Sequence, residues 1–241
     1  MKILAIGDIH GNDCWKRINP VEYSKIVFLG DYTDSRYLSR EKTLNNFIDI
    51  LVFKREHPKK VELLVGNHDN QYLFYNDELL HPLTYLPHFI DTENYKTFIE
   101  IFEDQANLFR AAYQYRNYLF THAGVTNMMF HEDFSFIKSK NRIAHHLNKL
   151  FTKKDSRLFK IGWERGGDED FGSIFWADRM MSQKDYLKSI HQVVGHSSVE
   201  QIVSIEGKNE SITYCDCLHK TTQFYELIFD GEVVTTSVVE V

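Results

Sequence analysis

Residues 1–11 read MKILAIGDIHG, an apolar run from Ile3 to Ile6 followed at once by Gly7–Asp8–Ile9–His10–Gly11. Such a run, closed by glycine, has the length of a buried strand rather than a helix. The same two-part phrase recurs along the chain. Ile26–Leu29 leads into Gly30–Asp31–Tyr32–Thr33–Asp34, and Leu63–Val65 into Gly66–Asn67–His68–Asp69. Tyr118–Phe120 leads into Thr121–His122–Ala123–Gly124, and Val193–Val194 into Gly195–His196–Ser197. Five times a strand-length run ends and a metal-capable side chain follows within two residues, directly preceded by glycine in four of the five. Open α/β sheets bind ligands outside the carboxyl ends of their strands. Five parallel strands would carry these groups to one edge, with glycine allowing tight turns and close approach of loops.

Working outward, Leu44, Phe47, Ile48 and Leu51 recur at helical spacing between the second and third runs, and Pro58 closes that segment. Strand, helix and strand in this order predict a right-handed crossover and parallel pairing. From Gln201 the pattern changes to short strands at Ile202–Ile205, Ser211–Tyr214, Phe224–Phe229 and Val233–Val239, with turns at Gly207–Lys208–Asn209 and Asp230–Gly231. The tail is expected to be mostly antiparallel. Two long stretches separate the strand runs. Residues 70–117 carry a helical pattern at Tyr95, Phe98, Ile99 and Phe102, and residues 126–190 another at Ile143, Leu147 and Leu150, then a glycine-rich piece at Gly162–Gly172. They form either a cap or rim over one end of the sheet or outer-layer helices. The 241 residues are expected to make one domain, 1–241, with these two insertions.

Composition narrows the function classes. Hydrophobic residues at 43% and charged residues at 26% are those of a soluble globular chain. The 18 Phe and 13 Tyr are read as core, with a stacking role open for some of them. A net charge of −6 and no basic stripe argue against duplex nucleic acid, and Lys149, Lys153, Lys154 and Arg157 read as a solvated helix face. A phosphate site is still compatible, because bound metals supply local positive charge. Three cysteines, with Cys215 and Cys217 on one face of an expected strand, make neither a disulfide framework nor a zinc site, and a reducing cytoplasm is the expected compartment. Strand-like residues begin at Ile3, leaving no room for a signal peptide, and no stretch has transmembrane length without a charge.

Carboxylate oxygens, an amide oxygen and imidazoles without thiolates suit Mn, with Fe or Zn as alternatives, better than Ca. One carboxylate can bridge two ions, which would clamp a phosphate and generate a hydroxide for in-line attack. The five phrases together resemble the calcineurin-like metallophosphoesterases, whose blocks read GD-x-HG, GD-x-x-D, GNH-D/E, H-x-G and GH. All five stand in order across residues 7–196. The resemblance implies an α/β fold, a four-layer αββα sandwich of two mixed sheets with helices on the outer faces and helical insertions near the site. It implies two divalent or trivalent metal ions. Asp8, His10 and Asp31 would hold the first, and Asp31 would bridge to a second completed by Asn67, His122 and His196. His68 would be the general acid that protonates the leaving oxygen, with Asp34 or Asp69 orienting its ring. An imidazole suits that task because its pKa lies near neutrality.

Two departures bear on the substrate. Diesterase-type members often read GH-x-H in the last block, whereas this chain reads Gly195–His196–Ser197–Ser198. That is closer to the branch of protein serine/threonine phosphatases and symmetrical dinucleoside tetraphosphatases. That branch has GD-x-x-DRG in the second block, its Arg gripping phosphate, but Ser35 stands at that place here and Arg36 one residue later. Arg165, in Trp163–Glu164–Arg165–Gly166–Gly167, is the substitute favoured over Arg36, because paired glycines let the loop fold over the site. The activity expected is phosphomonoester hydrolysis on a phosphoprotein or a small phosphate ester, with dinucleoside polyphosphate or phosphodiester cleavage as the alternative. A scaffold without chemistry is a third reading. A full ligand set speaks against it, since a retired site has no reason to keep so many polar groups.

Overall fold

In the computed structural model of the chain, residues 1–86 and 90–241 are described. Residues 87–89, part of the first insertion, lie outside the described residues. The strands are β1 (Lys2–Ile6), β2 (Lys25–Phe28), β3 (Val61–Leu64), β4 (Phe109–Arg110), β5 (Ala112–Tyr115), β6 (Tyr118–Thr121), β7 (His191–Val194), β8 (Val203–Glu206), β9 (Ser211–Tyr214), β10 (Gln223–Asp230) and β11 (Val233–Glu240). The helices are α1 (Arg40–Glu56), α2 (Asn67–Leu73), α3 (His81–Thr84), α4 (Tyr95–Gln105), α5 (Asn127–Asp133), α6 (Ile143–Thr152) and α7 (Arg179–Asp185).

The strands form the two mixed sheets that the resemblance implies. A six-stranded sheet has the order β11-β10-β1-β2-β3-β4, and a five-stranded sheet the order β5-β6-β7-β9-β8. In the first, β1, β2, β3 and β4 run parallel and β10 and β11 are antiparallel. In the second, β6, β7 and β9 run parallel between antiparallel edge strands β5 and β8. The five strands whose exits carry the ligand-capable groups are divided three and two between these sheets. The sequence leaves that division open, because these strands are buried on both faces, so each reads as a plain apolar run that does not say which neighbour it pairs with. The tail is mostly antiparallel, as expected, with β9 joining β7 in parallel.

Strand alternation sorts the side chains into two cores. Ile3, Ala5, Val27, Leu29 and Leu64 face the second sheet, where they meet Phe120, Val193, Ile212 and Tyr214. Leu4, Ile6, Ile26, Phe28 and Leu63 point the other way, against the helical layer. There α1 sets Phe47 within 4.9 Å of Phe102 and 5.9 Å of Phe98 on α4, ring centroid to ring centroid. Ser39 caps α1 by accepting the Lys42 N–H at 3.3 Å. On the far side α6 covers the second sheet, its Asn148 holding the backbone of Ala111 and Ala112. The layers run helix, sheet, sheet, helix. Both readings of the insertions hold in part: α4 and α6 are outer-layer helices, while Leu86, Arg165 and Trp176 reach the rim of the site. Ile48 is exposed on α1 rather than on its buried face. Of the basic run, Lys154 pairs with Asp77 at 2.6 Å and Arg157 with Asp155 at 2.8 Å.

Cys215 and Cys217 do not share a strand face. β9 ends at Tyr214, and the Cys217 N–H donates to the Cys215 carbonyl at 2.9 Å, a tight turn. Both thiols, and that of Cys14, are buried and free.

Candidate metal centre

The exits of β1, β2, β3, β6 and β7 meet at one cavity of about 490 Å³, lined by Asp8, His10, Asp31, Asn67, His68 and His196 among others. His122 lies fully buried beneath them. The backbone is bent to make this possible. His10, Asp31, Asp34 and His196 all have positive φ, at 40°, 54°, 58° and 60°. Non-glycine residues adopt that conformation at a cost, and such strain collects at functional sites. The glycines before the ligand-capable residues also have a specific task here. A Cβ on Gly66 would collide with Asp31 Oδ1, and one on Gly195 with Asp8 Oδ1. Glycine thus makes room for the neighbouring loop's carboxylate.

Asp31 lies at the middle. Its Oδ2 is 3.5 Å from His10 Nε2 and 3.5 Å from His122 Nε2. Ligand atoms of His10, Asp31 and His68 fall within 4.8 Å of one another, and so do those of Asp8, Asp31 and His122, so Asp31 belongs to both sets. Asn67 Oδ1 is 2.9 Å from His122 Nε2 and 2.8 Å from His196 Nδ1. Both oxygens of Asp8 accept the His196 N–H at 3.0 Å.

The protonation pattern shows that these groups fit a cation. His122 Nδ1 faces the Leu29 carbonyl at 2.8 Å, and His10 Nδ1 faces that of Thr33 at 2.7 Å. A carbonyl accepts only, so each ring places its N–H on Nδ1 and leaves Nε2 to be the bare nitrogen of the neutral ring, the arrangement that outer-shell partners impose on metal-ligating histidines. Burial holds the His122 pKa below its ordinary value. Burial, then the charges of His122 and Arg165, holds that of His196 well below its own. Neutral His122 therefore points a lone pair at two more acceptors, Asn67 Oδ1 and Asp31 Oδ2, with no proton among the three. His196 Nε2 is buried without a hydrogen-bond partner. Burial, and then the charges of Asp216 and Asp31, push Asp8 well above the usual carboxylate range. Converging acceptors and crowded carboxylates are costly in a dry site unless a positive ion joins them. Asp8, His10, Asp31, Asn67, His122 and His196 could hold one or two such ions.

The two carboxylates considered as partners for His68 differ in position. Asp34 Oδ2 lies 3.0 Å from His68 Nδ1 and accepts from Gln71 Nε2 at 2.5 Å, while Asp34 Oδ1 accepts from the Tyr72 hydroxyl. Asp69 is turned away: its oxygens accept the N–H groups of Asp31 at 2.8 Å, Tyr32 at 2.9 Å and Gly66 at 2.8 Å. It ties the second strand exit to the third, and burial with the Asp31 charge pushes its pKa up to about 8 against those donors. Burial alone would lower the His68 pKa, but the charges of Asp31 and Asp34 and the Asp34 hydrogen bond outweigh it and raise it.

Arg165 and Arg36 both line the cavity. Arg165 is oriented by Asp178 Oδ2, 2.6 Å from its Nε, and by Ser197 Oγ, 3.1 Å from its Nη2. Ser35, at the place where the resemblance leads one to expect Arg, caps its own loop: its Oγ accepts the N–H groups of Tyr37 at 3.3 Å and Leu38 at 3.0 Å.

Sequence reasoning missed Asp216, Trp176, Tyr37 and His219, which share the cavity wall, and Gln71 and Tyr72 behind Asp34. Asp216 had a readable signal, since it follows β9 just as Asp8 follows β1, but no glycine marks that exit.

A two-sheet α/β sandwich with these groups at its strand exits defines a class, the metallophosphoesterases. The chain belongs to the calcineurin-like phosphoesterase family, whose profile matches residues 1–231. It is 33% identical over 85 residues to the serine/threonine-protein phosphatase 4 catalytic subunit of Candida glabrata, a match covering 31% of this chain and 26% of that one. The chain thus spans about a quarter of that relative's length. By structure it resembles a cold-active protein tyrosine phosphatase, with a TM-score of 0.59 at 16% identity, over 98% of this chain and 78% of the other. It also resembles a protein serine/threonine phosphatase of Saccharomyces cerevisiae, with a TM-score of 0.55 at 13% identity, over 100% of this chain and 80% of the other. At those identities the likeness is one of fold.

Proposed function

We propose that this chain is a metal-dependent phosphomonoesterase acting on a phosphoprotein or a small phosphate ester. The observation that carries this is the place of Asp31, with one carboxylate oxygen equidistant from His10 Nε2 and His122 Nε2 at 3.5 Å. Asp8, His10 and Asp31 form one ligand set, and Asp31, Asn67, His122 and His196 the other. Two bound ions, Mn by donor type with Fe or Zn as alternatives, would polarise the phosphoryl group and acidify the attacking water.

The protein's own groups do the rest. The carbonyls of Leu29 and Thr33 hold His122 and His10 in the right tautomer. Asp34 holds the proton on His68 Nδ1 and aims the ring, so that Nε2–H can protonate the departing oxygen. Arg165, fixed by Asp178 and Ser197, offers charged N–H donors to the outward phosphoryl oxygens, with Arg36 across the same cavity as the alternative donor. Among the described residues no helix is long and apolar enough to cross a membrane. The free buried thiols support a reducing compartment, and we place the protein in the cytoplasm.

The test is a substrate panel on protein reconstituted with Mn: an aryl monoester, an aryl diester, a phosphopeptide and a dinucleoside tetraphosphate. Preference for the monoester or the phosphopeptide is the expected result. Preference for the diester or the tetraphosphate would overturn it.

A further inference from the structure

The cavity is larger than a phosphate needs, and away from the ligand-capable groups its wall changes character. Tyr37, Leu38, Leu86, Trp176, Leu218 and His219 line this part. Tyr37 and His219 form a near-parallel pair there: their rings lie 12° from parallel with centroids 6.5 Å apart. Near-parallel rings at a cavity wall offer π-faces on which a flat group can stack. The His219 ring is set in place from behind. His219 Nε2 is 3.1 Å from Ser198 Oγ and its Nδ1 is 3.8 Å from Asp216 Oδ1. Leu218, next to it, accepts a hydrogen bond from Asn12 Nδ2 through its carbonyl at 2.8 Å. Tyr37 is carried on the turn that Ser35 caps, and its side chain is 77% exposed, so a small outward swing breaks no buried contact.

We infer that Tyr37 and His219 form a clamp for a planar group on the substrate, an aryl ring or a nucleobase, while its phosphate lies at the metal centre. This rests on the phosphomonoesterase reading above. Stacking explains two things together: an exposed tyrosine held over a cavity, and a near-parallel histidine ring beside it that Ser198 fixes. Stacking is tolerant of ring identity, because every planar ring offers a π-face. The inference therefore selects small phosphate esters with a flat leaving group over phosphoserine or phosphothreonine, whose side chains have none.

The experiment compares adenosine monophosphate, phenyl phosphate and glycerol phosphate on the Mn-loaded wild type, Tyr37→Ala and Tyr37→Phe. In the wild type, kcat/KM should favour the two planar esters. Tyr37→Ala should lower the planar-to-glycerol ratio roughly ten-fold or more, the usual size of a lost stacking partner, and Tyr37→Phe should restore it. A loss for both planar esters assigns the clamp to aromatic rings in general, and a loss for adenosine monophosphate alone assigns it to a nucleobase. A ratio unchanged in Tyr37→Ala overturns the clamp. If no ester is turned over, the phosphomonoesterase reading falls instead, and equilibrium binding decides the clamp separately. Adenosine monophosphate should then bind more tightly than glycerol phosphate and lose that advantage in Tyr37→Ala, whereas equal binding overturns it.

Discussion

His68 Nδ1 lies 3.0 Å from Asp34 Oδ2, and that same carboxylate is held by the side chains of Gln71 and Tyr72. The Tyr72 hydroxyl in turn accepts the Asp91 N–H at 2.9 Å, so the chain of bonds runs from the cavity into the first insertion. Tyr72 and Gln71 are buried, and the bonds they make leave Asp34 little freedom to turn. His68 is thereby anchored from behind through its Nδ1.

His68→Asn should lower turnover of a monoester with a poor leaving group by about 10²- to 10⁴-fold, the range for general acid catalysis, and much less for a good leaving group. Asp34→Asn should show the same leaving-group dependence with a smaller loss. Metal content, read by elemental analysis, should stay at the wild-type level in both. Equal losses on good and poor leaving groups would remove His68 from proton transfer.

Asp31→Asn should weaken both metal sites, whereas His122→Ala should mainly empty one. The reason is that Asp31 belongs to both ligand clusters while His122 belongs to the second. Elemental analysis against added Mn tests this, and a fully loaded wild type with one ion per chain would refute the shared carboxylate.

Metal should stabilise the fold, and more so as pH rises. In the metal-free protein Asp8 is held well above its ordinary pKa by burial and then by Asp216 and Asp31, and Asp216 is raised chiefly by burial. A carboxyl group whose folded pKa is raised contributes stability that is present below its unfolded pKa and lost as pH climbs through the folded value. The loss falls between the ordinary carboxylate range and the raised values, with Asp69 at about 8 marking the upper part of the window. A bound ion needs those carboxylates ionised and compensates their charge. The gap in Tm between Mn-loaded and chelator-treated protein should therefore be wider at about pH 8 than at about pH 5. A gap that narrows with pH would contradict the assigned ligands.

Arg165→Ala should raise KM and lower kcat for a monoester with metal content intact, and Arg165→Lys should recover only part, because an ammonium offers no bidentate fork. Asp178→Asn gives a finer test. Asn can still cap α7 by accepting the Met180 N–H, now at 2.7 Å, while the ion pair to Arg165 is lost. It should reproduce a fraction of the Arg165→Ala defect without unfolding. Normal kcat/KM in Arg165→Ala with a crippled Arg36→Ala would reverse the assignment.

Gly195→Ala should disable the site through one methyl group, since the new Cβ meets Asp8 Oδ1. Mn affinity should fall, measured by titration, while far-UV circular dichroism stays unchanged. Wild-type affinity would show that the Asp8 loop can give way.

Much of this protein was legible in its sequence because strand exits are local. An apolar run, a glycine and a ligand-capable side chain are neighbours along the chain, so Asp8, His10, Asp31, Asn67, His122 and His196 could be named, and β1, β2, β3, β6 and β7 with them. The helix at 40–56 and its parallel crossover were equally local, read from a period and a proline. What only the tertiary structure decided depends on partners far apart in number. The two sheets were implied by the family resemblance, but which strand joins which sheet was hidden, because strands buried on both faces carry no alternation to assign their neighbours. The choice of Asp34 over Asp69 beside His68 was hidden because both follow a strand by a few residues. Their separation comes from three backbone N–H groups that capture Asp69 and from Gln71 and Tyr72, which hold Asp34. Tyr37 and His219 stand 182 positions apart, and nothing in either local sequence announces a stacked pair. Residue type and order determined which atoms could bind a metal; folding the two sheets face to face determined which groups surround them.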